Sequence, residues 1–316
     1  MATINVSVER CYADRVDSDR QQVRVAVIGA GIMGAGIAQA AGMSGYSVGL
    51  CDLSPAQTAR ATSEIAKSLD KLVLSGRLES ETADMARSAV QACSSVEEAA
   101  TGAQVVVEAV VEKLDVKQSV LREVSSVAQP DAVLATNTSQ LSITSIAAAA
   151  PAAEDRVVGL HFFNPVVLMR LVEIVRGLQT SDATVMAAED FASSLGKETV
   201  VCQKDSPGFM TSRISAIIRL ECLRMLEEGV GTAADIDRAL CLGLNLPIGP
   251  LELGDRNGLD TYLLVLESLS RTLGERFRPT VGLRNLVAAG RLGRKSGRGI
   301  YEYSADGTIL RAGQRV

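Results

Sequence analysis

Short apolar runs alternate with longer amphipathic stretches through the first two thirds of the chain. Apolar runs of about four to eight residues are typical of buried strands, whereas the longer stretches have the period of surface helices. The runs predicted as strands are 24–28, 47–51, 89–93, 104–109, 132–135, 157–160, 171–175 and 198–201. The predicted helices follow the first strand through Ala41 and then cover 55–75, 80–89 and 114–127. This alternation predicts an α/β fold with a doubly wound parallel sheet.

A glycine pattern follows the first predicted strand and opens the first helix. Gly29 permits a tight turn, Gly31 lets the backbone approach a pyrophosphate, and Gly34 lets the helix pack close to the strand. The second strand ends at Asp52, near the spacing expected of a carboxylate that holds a ribose diol. Asp52 would repel a 2′-phosphate and no arginine follows it, so NAD is favoured over NADP. The pattern predicts a Rossmann-type domain; the alternative is that the glycines serve only a strand-to-helix turn.

The pattern becomes helical in the last third of the chain. Helices are predicted over 206–228, from Ala233 with Thr232 as N-cap, and after Gly258. The predicted domains are an N-terminal arm at 1–22 without an assigned role, a dinucleotide-binding domain at 23–204, and an all-helical domain at 205–316.

Composition restricts the class of protein. With 316 residues and 47% hydrophobic content the chain is long enough for two domains. The net charge of -5 and the absence of tryptophan argue against a nucleic-acid partner, and no apolar stretch or signal pattern predicts a membrane segment. The six cysteines are scattered without metal-ligand spacing, which predicts no metal site and reduced core residues of a cytoplasmic protein.

The single histidine, His161, is the strongest candidate for catalysis. It lies in the run 159–165 (GLHFFNP), and Glu173 follows twelve residues later. Imidazole both accepts and donates a proton near neutral pH, and a carboxylate fixes its tautomer and stabilises its cation. The alternative is a structural core histidine. Because the histidine follows a strand of a predicted dinucleotide-binding sheet, the catalytic interpretation is favoured.

Together these motifs resemble the short-chain L-3-hydroxyacyl-CoA dehydrogenases, including bacterial 3-hydroxybutyryl-CoA dehydrogenases. The matching segments are 29–36, 107–112 (VEAVVE), 136–139 (TNTS), 161–165 (HFFNP), 171–173 (LVE), 204–209 (KDSPGF), 247–250 (PIGP), 258–260 (GLD) and 293–297 (GRKSG). They occur in one order over nearly the whole chain after residue 22. The resemblance implies a dimeric enzyme of fatty acid metabolism that interconverts a 3-hydroxyacyl thioester and its 3-oxo form with NAD.

The resemblance also implies roles for individual residues. His161 would take the hydroxyl proton, Glu173 would orient and support the imidazolium, and Ser139 would hydrogen-bond the substrate oxygen, unless Ser139 is instead a helix N-cap. The predicted cofactor-binding residues are Gly29, Gly31, Ile32, Met33, Gly34, Asp52, Glu112, Lys117, Asn137, Asn164 and Lys295. The last five rest on the resemblance alone, because Glu112 and Lys117 taken by themselves suggest a solvated pair on a helix face.

Two departures from the family pattern concern substrate binding, for which Ser68, Lys71, Ser139 and Ser212 are predicted. Ser212 stands where the family asparagine helps to hold the substrate carbonyl. Ser75 stands where a lysine is common against the phosphates of coenzyme A, although Ser68, Lys71 and Arg77 remain. Fewer phosphate contacts suit an alternative substrate, a hydroxyacyl group on an acyl carrier protein, as in polyketide extender-unit biosynthesis. Such an acidic partner would meet Arg213, Arg219 or Arg224, unless these arginines are merely exposed on a helix.

Further alternatives remain open. A free hydroxy acid such as gulonate, used by crystallin-like relatives, would need a cation near His161, and Arg170 is the nearest candidate in sequence. A non-catalytic NAD-binding or structural protein is a second alternative, but it has no need of an acid–base pair. A homodimer is expected from the family and from the apolar runs 216–218 and 263–266, which would equally suit an internal core.

Overall fold

The computed structural model of the protein describes residues 23–312. The arm predicted at residues 1–22 and Cys11 lie outside the described residues. The chain divides into two compact units between Ser206 and Pro207, two residues after the predicted boundary. No helix within the described residues is long and apolar enough to cross a membrane.

Eight strands of the first unit form one sheet within the described residues. Their bounds are β1 Arg24–Ile28, β2 Ser47–Cys51, β3 Val90–Ala92, β4 Val105–Glu108, β5 Val133–Thr136, β6 Val157–Phe162, β7 Leu171–Arg176 and β8 Glu198–Cys202. The strand order is β3-β2-β1-β4-β5-β6-β7-β8, and the pairs from β3 to β6 are parallel. This is the doubly wound order of a Rossmann-type sheet, as the sequence predicts.

Strand β7 runs antiparallel to β6, which brings the histidine and the glutamate together. The register places His161 directly opposite Glu173. Residues opposite each other in an antiparallel pair project to the same face of the sheet, close enough for their side chains to interact. The twelve-residue spacing therefore follows from strand pairing, because the connection after β6 returns the chain alongside it.

Helices cover both faces of this sheet. Their bounds are α1 Ile32–Met43, α2 Pro55–Leu74, α3 Ser80–Ala89, α4 Val96–Ala100, α5 Leu114–Val127, α6 Ile143–Ala147 and α7 Asp182–Ser194. The predicted helices at 55–75, 80–89 and 114–127 are confirmed to within one residue. Helices α4 and α7 were not predicted; α4 has five residues, too few to show a helical period.

The core of the first unit explains why its strands are apolar. Val107 of β4, Leu160 of β6 and Ile174 of β7 are all fully buried. Since helices cover both faces of a parallel sheet, its central strands have no solvent-facing side and consist of continuous apolar runs. Cys51, Cys93, Cys202 and Cys222 are buried, as predicted for core residues, and Cys241 is half-buried.

The second unit is helical apart from a terminal hairpin. Its elements are α8 Thr211–Glu228, α9 Ala233–Gly243, α10 Pro250–Asn257, α11 Leu259–Leu273, α12 Val281–Ala288, β9 Tyr301–Tyr303 and β10 Ile309–Ala312. Helix α8 begins five residues later than predicted, because Gly208 (φ +75°) and Phe209 (φ +47°) have left-handed backbone that a right-handed helix excludes. Gly229 ends α8 with φ +74°, and the Thr232 side chain caps α9, both as predicted.

A buried carboxylate, Asp255, joins the terminal hairpin to the helices of the second unit. Asp255 is fully buried, and its two oxygens accept hydrogen bonds from the amides of Ile300 and Tyr301 at 2.9 and 2.8 Å. The Tyr303 hydroxyl donates a third bond of 3.1 Å. Burial raises the pKa of Asp255, and these donors oppose that rise. A Cβ on Gly299 would lie 2.2 Å from the same carboxylate, so only glycine fits there.

Candidate active site at the carboxyl edge of the sheet

The turn predicted at Gly29 and the close packing predicted at Gly34 are confirmed, and Gly31 stands in open space. Gly29 has φ +105°, and a Cβ there would lie 2.6 Å from the Ala109 backbone. A Cβ on Gly34 would lie 1.7 Å from the Gly29 carbonyl oxygen, so α1 packs against the turn only because Gly34 lacks one. At Gly31, by contrast, a Cβ would meet nothing within 4 Å. Open space at Gly31 is what a pyrophosphate approaching the N-terminus of α1 requires.

Asp52 lies beside this loop at the end of β2. Its carboxylate accepts hydrogen bonds from the amides of Ala30 at 2.8 Å and Ser54 at 3.0 Å. The side chain is half-buried, and the following Leu53 is 93% exposed. Asp52 is therefore held in a fixed position next to the glycine loop, where a carboxylate suits a ribose diol. These features fit the dinucleotide that the sequence predicts.

A cavity of about 310 Å³ lies between the glycine loop and α2. Gly31, Ile32, Ser68 and Asn164 all line it, so the structure brings predicted cofactor and substrate residues together. Met33 is half-buried in the first turn of α1. Lys71 is exposed one turn beyond Ser68 on α2, outside this lining.

His161 and Glu173 form a buried pair. His161 is 7% exposed and Glu173 is fully buried. The imidazole Nδ1 lies 2.7 Å from the Glu173 Oε2, and the Phe163 ring lies 4.5 Å from the imidazole ring between centroids. A buried carboxylate at this distance selects the tautomer with hydrogen on Nδ1 and stabilises an imidazolium. The pair therefore has the geometry required for acid–base chemistry.

Asn137 and Ser139 lie on the loop after β5, next to the histidine strand. The Phe162 amide donates a 3.0 Å hydrogen bond to the Asn137 Oδ1, which joins this loop to the end of β6. Ser139 is half-buried, and its amide donates to Glu112 at 3.1 Å. The alternative interpretation of Ser139 as a helix N-cap is wrong, because Ser142 caps α6 by accepting a bond from the Ser145 amide. The Ser139 hydroxyl is thus not required to cap the helix.

Lys117 and its carboxylate partners differ from the solvated helix-face pair that their spacing suggests. Lys117 is fully buried, and its ammonium donates to the Glu108 Oε1 and Oε2 at 2.8 and 3.1 Å and to the Asn137 carbonyl at 3.1 Å. Glu112 Oε2 lies 3.5 Å away. Because the Lys117 side chain has no exposed surface, it supports the neighbouring loops and does not itself face an open cleft.

Glu108, the buried partner of Lys117, was not predicted as a site residue. One available signal was that Lys117 shares the inward stripe of α5 with Leu121 and Val124, at helical spacing. A lysine on such a stripe needs a buried carboxylate partner, and Glu108 is the nearest candidate at the end of a strand.

Ser212 and Lys295 are the predicted site residues of the second unit. Ser212 is half-buried in the first turn of α8, and Lys295 donates to both Asp260 carboxylate oxygens at 2.7 Å. The expectation that the α8 arginines are merely exposed is wrong. Arg219 lies over the Tyr262 ring at 4.4 Å and burial lowers its pKa, while Arg224 is half-buried and pairs with Glu221 at 3.2 Å.

One further candidate, the cation considered for a free hydroxy acid, can be placed. Arg170 is 79% exposed and forms a surface ion pair with Glu198. Within residues 23–312 no group of three histidine, cysteine, aspartate or glutamate side chains is arranged to hold a metal ion.

The fold and the residues at the carboxyl edge of the sheet define a class of protein. A carboxylate at the end of β2, an open glycine turn and a buried acid–base pair along one Rossmann-type sheet are suited to hydride exchange with NAD. Models of the 3-hydroxyacyl-CoA dehydrogenase NAD binding domain and C-terminal domain match residues 24–206 and 208–303. The chain therefore belongs to the 3-hydroxyacyl-CoA dehydrogenase family and is an NAD-dependent oxidoreductase.

Individual relatives agree over nearly their whole length. The chain is 40% identical to a probable 3-hydroxybutyryl-CoA dehydrogenase of Deinococcus radiodurans over 89% of this chain and 100% of the relative. It is 38% identical to the mitochondrial hydroxyacyl-coenzyme A dehydrogenase of Sus scrofa, over 88% and 90%. The crystal structure of (S)-3-hydroxybutyryl-CoA dehydrogenase from Ralstonia eutropha superposes with a TM-score of 0.85 at 40% identity, covering 89% and 99% of the two chains.

Proposed function

We propose that the protein interconverts a short-chain 3-hydroxyacyl-CoA and its 3-oxoacyl form with NAD. The observation that carries the proposal is the buried His161–Glu173 pair at the carboxyl edge of an NAD-binding sheet. The relatives support the thioester class, because their names specify 3-hydroxybutyryl-CoA or hydroxyacyl-CoA.

In the oxidative direction His161 acts as the base. The O–H and C–H bonds at substrate C3 break and a C=O bond forms; His161 Nε2 takes the proton, and NAD⁺, when bound, would accept the hydride. Nε2 is the nitrogen assigned to this exchange because Nδ1 lies against Glu173. In the reductive direction His161 returns the proton to the forming alkoxide.

Glu173 is the counter-charge for the imidazolium. It is fully buried, so solvent screens it little. Its place opposite His161 in the β6–β7 register also fixes the imidazole ring before substrate binds. A preorganised charge of this kind lowers the barrier because nothing has to reorganise when the proton moves.

Other residues are assigned to binding and orienting the substrate and the cofactor. Ser139 would donate a hydrogen bond from its hydroxyl to the substrate oxygen, and Asn137, Asn164 and Glu112 would hold the nicotinamide end of the cofactor. Lys117 acts through Glu112 and the Asn137 carbonyl. In the second unit, Ser212 for the thioester carbonyl and Lys295 for the cofactor stay predictions that rest on the family resemblance.

The substrate carrier in this proposal is coenzyme A. Ser68, which lines the cavity beside the glycine loop, and Lys71, exposed one turn further along α2, are assigned to its phosphates. No observation favours the acyl-carrier-protein alternative, since the matched relatives bear coenzyme A names. The free hydroxy acid alternative has no support either, because the matched relatives are named for coenzyme A substrates. We also propose that the protein is a cytoplasmic homodimer that acts in fatty acid metabolism.

Steady-state oxidation of NADH with acetoacetyl-CoA tests the substrate class. The same acyl group on phosphopantetheine and on an acyl carrier protein is the comparison. Efficient turnover of the coenzyme A ester supports the proposal. Weak turnover of this ester beside strong turnover of the carrier-bound group would overturn it and make Ser212 and Ser75 determinants of carrier choice.

A further inference from the structure

Three charged side chains lie between the ends of β4 and β5, and their charges do not cancel. Lys117 contacts both oxygens of Glu108 at 2.8 and 3.1 Å and one oxygen of Glu112 at 3.5 Å. We call Glu108, Lys117 and Glu112 the charge triad. One ammonium between two carboxylates leaves a net charge of −1. Lys117 and Glu108 are only 0% and 5% exposed at their side chains and neutralise each other, so the surplus charge lies on Glu112 at the edge of the buried pair.

The hydrogen bonds of the triad suit its ionised form. The two Glu108 oxygens accept from Lys117, the Thr136 hydroxyl at 2.6 Å and the Val110 amide at 2.7 Å, so each of these partners is a donor. Burial raises the pKa of Glu108, and Lys117 opposes that rise. Donors favour the carboxylate over the acid.

Glu112 links the triad to the loop that carries Ser139. Its Oε1 accepts from the Thr138 hydroxyl at 2.5 Å and from the Ser139 amide at 3.1 Å. The side chain is 40% exposed, unlike the other two members of the triad. Glu112 is therefore the member from which charge can be removed with the least disturbance of the buried pair.

The strand order places the triad on the nicotinamide side of the site. In a Rossmann-type domain the carboxylate after β2, here Asp52, binds the adenosine ribose, and the glycine loop after β1 binds the pyrophosphate. The strand order reverses between β1 and β4. On the far side of that point the strands are β4, then β5, then β6, which carries His161. Since the reacting carbon of the nicotinamide would have to approach His161, the residues at the ends of β4 and β5 would hold its ring. Glu108 is the last residue of β4 and Thr136 the last of β5.

We infer that the charge triad makes the site discriminate between the oxidised and reduced cofactor, with Glu112 as a specificity-determining residue. The nicotinamide ring carries a positive charge in NAD⁺ and none in NADH. A net negative charge beside the ring stabilises NAD⁺ relative to NADH, so loss of one carboxylate shifts the preference towards NADH. The inference rests on the cofactor placement in the proposed function.

The test is the pair of dissociation constants for NAD⁺ and NADH in the full chain, measured by calorimetry at fixed pH and salt. Glu112→Gln removes the charge and keeps an oxygen that accepts from Thr138 and Ser139. We expect Kd(NAD⁺)/Kd(NADH) to rise by about fivefold, a modest part of what one unit charge exerts at short range near a protein surface. Glu123→Gln, which removes an exposed carboxylate of α5, is the matched control and should leave the ratio unchanged.

Lys117→Met tests the charge count of the triad. In this variant the buried Glu108 loses its ammonium partner and takes up a proton, because burial already raises its pKa. The triad then keeps a net charge of −1, so the ratio should stay near the wild-type value in any preparation that thermal unfolding shows to be folded. An unchanged ratio in Glu112→Gln, with the two affinities altered equally or not at all, would overturn the inference, as would a fall in that ratio. If the wild-type protein binds neither NAD⁺ nor NADH, the proposed function fails instead.

Discussion

Replacement of Glu173 by glutamine isolates the charge of the catalytic pair from its geometry. The glutamine oxygen still accepts the hydrogen of Nδ1, so the imidazole keeps its position and tautomer. Only the negative charge is lost, from a side chain that is fully buried 2.7 Å from the imidazole nitrogen. The variant therefore measures how much a fixed counter-charge contributes to proton transfer at His161.

The magnitude follows from Coulomb's law. Two unit charges about 4 Å apart interact by about 4 kcal/mol at an effective dielectric of about 20. The amide dipole of glutamine recovers part of this, which leaves a loss of about 3 kcal/mol in the step that forms or consumes the imidazolium. Such a loss lowers kcat by about 10²-fold.

The assay is steady-state NADH oxidation with acetoacetyl-CoA, combined with a direct measurement of NADH affinity. We expect kcat to fall by about 10²-fold while the Kd for NADH stays within about twofold. Glu97→Gln, which removes an exposed carboxylate of α4, serves as the control and should retain full activity. A Glu173→Gln variant with kcat within about threefold of the wild type would refute the electrostatic role of Glu173.

Other predictions follow from the same geometry. Gly31→Ala should leave the free energy of unfolding unchanged but weaken NADH binding at least about tenfold, because its Cβ meets no protein atom and enters the space assigned to the pyrophosphate. Gly34→Ala should instead destabilise the protein by about 2–3 kcal/mol in urea, since its Cβ would lie 1.7 Å from the Gly29 oxygen; equal stability of these two variants would contradict the packing argument. Asp52→Ala should weaken NAD binding relative to NADP, and an unchanged ratio would remove the argument for ribose recognition. Asp255→Asn turns an amide NH₂ towards donors and should cost about 2 kcal/mol of unfolding free energy, whereas wild-type stability would mean that the three hydrogen bonds to Asp255 contribute little.

Much of the first unit could be predicted from sequence because its signals are local. The strand before Asp52 and the strand that contains His161 are short apolar runs. The glycines after β1 form a recognisable pattern within a few residues of the chain. The pairing of His161 with Glu173 depends on a turn between antiparallel strands, which the sequence suggests only through the proximity of its two apolar runs.

Other features depend on contacts between distant segments and were predicted less well. The burial of Lys117 requires Glu108 from β4 and the Asn137 carbonyl from the loop after β5, a convergence that no local pattern encodes. Helix α8 starts later than predicted because Phe209 has left-handed backbone. Phenylalanine rarely adopts this conformation, so the sequence does not predict it.

The central claim is that His161 transfers the proton in an NAD-linked oxidoreduction of a 3-hydroxyacyl-CoA. Its most direct test is NADH oxidation with acetoacetyl-CoA by the wild type and by His161→Gln, with NADH affinity measured on both. The account predicts turnover by the wild type, and for the variant an unchanged Kd for NADH with a kcat lower by at least about 10³-fold. Wild-type turnover by His161→Gln would contradict it.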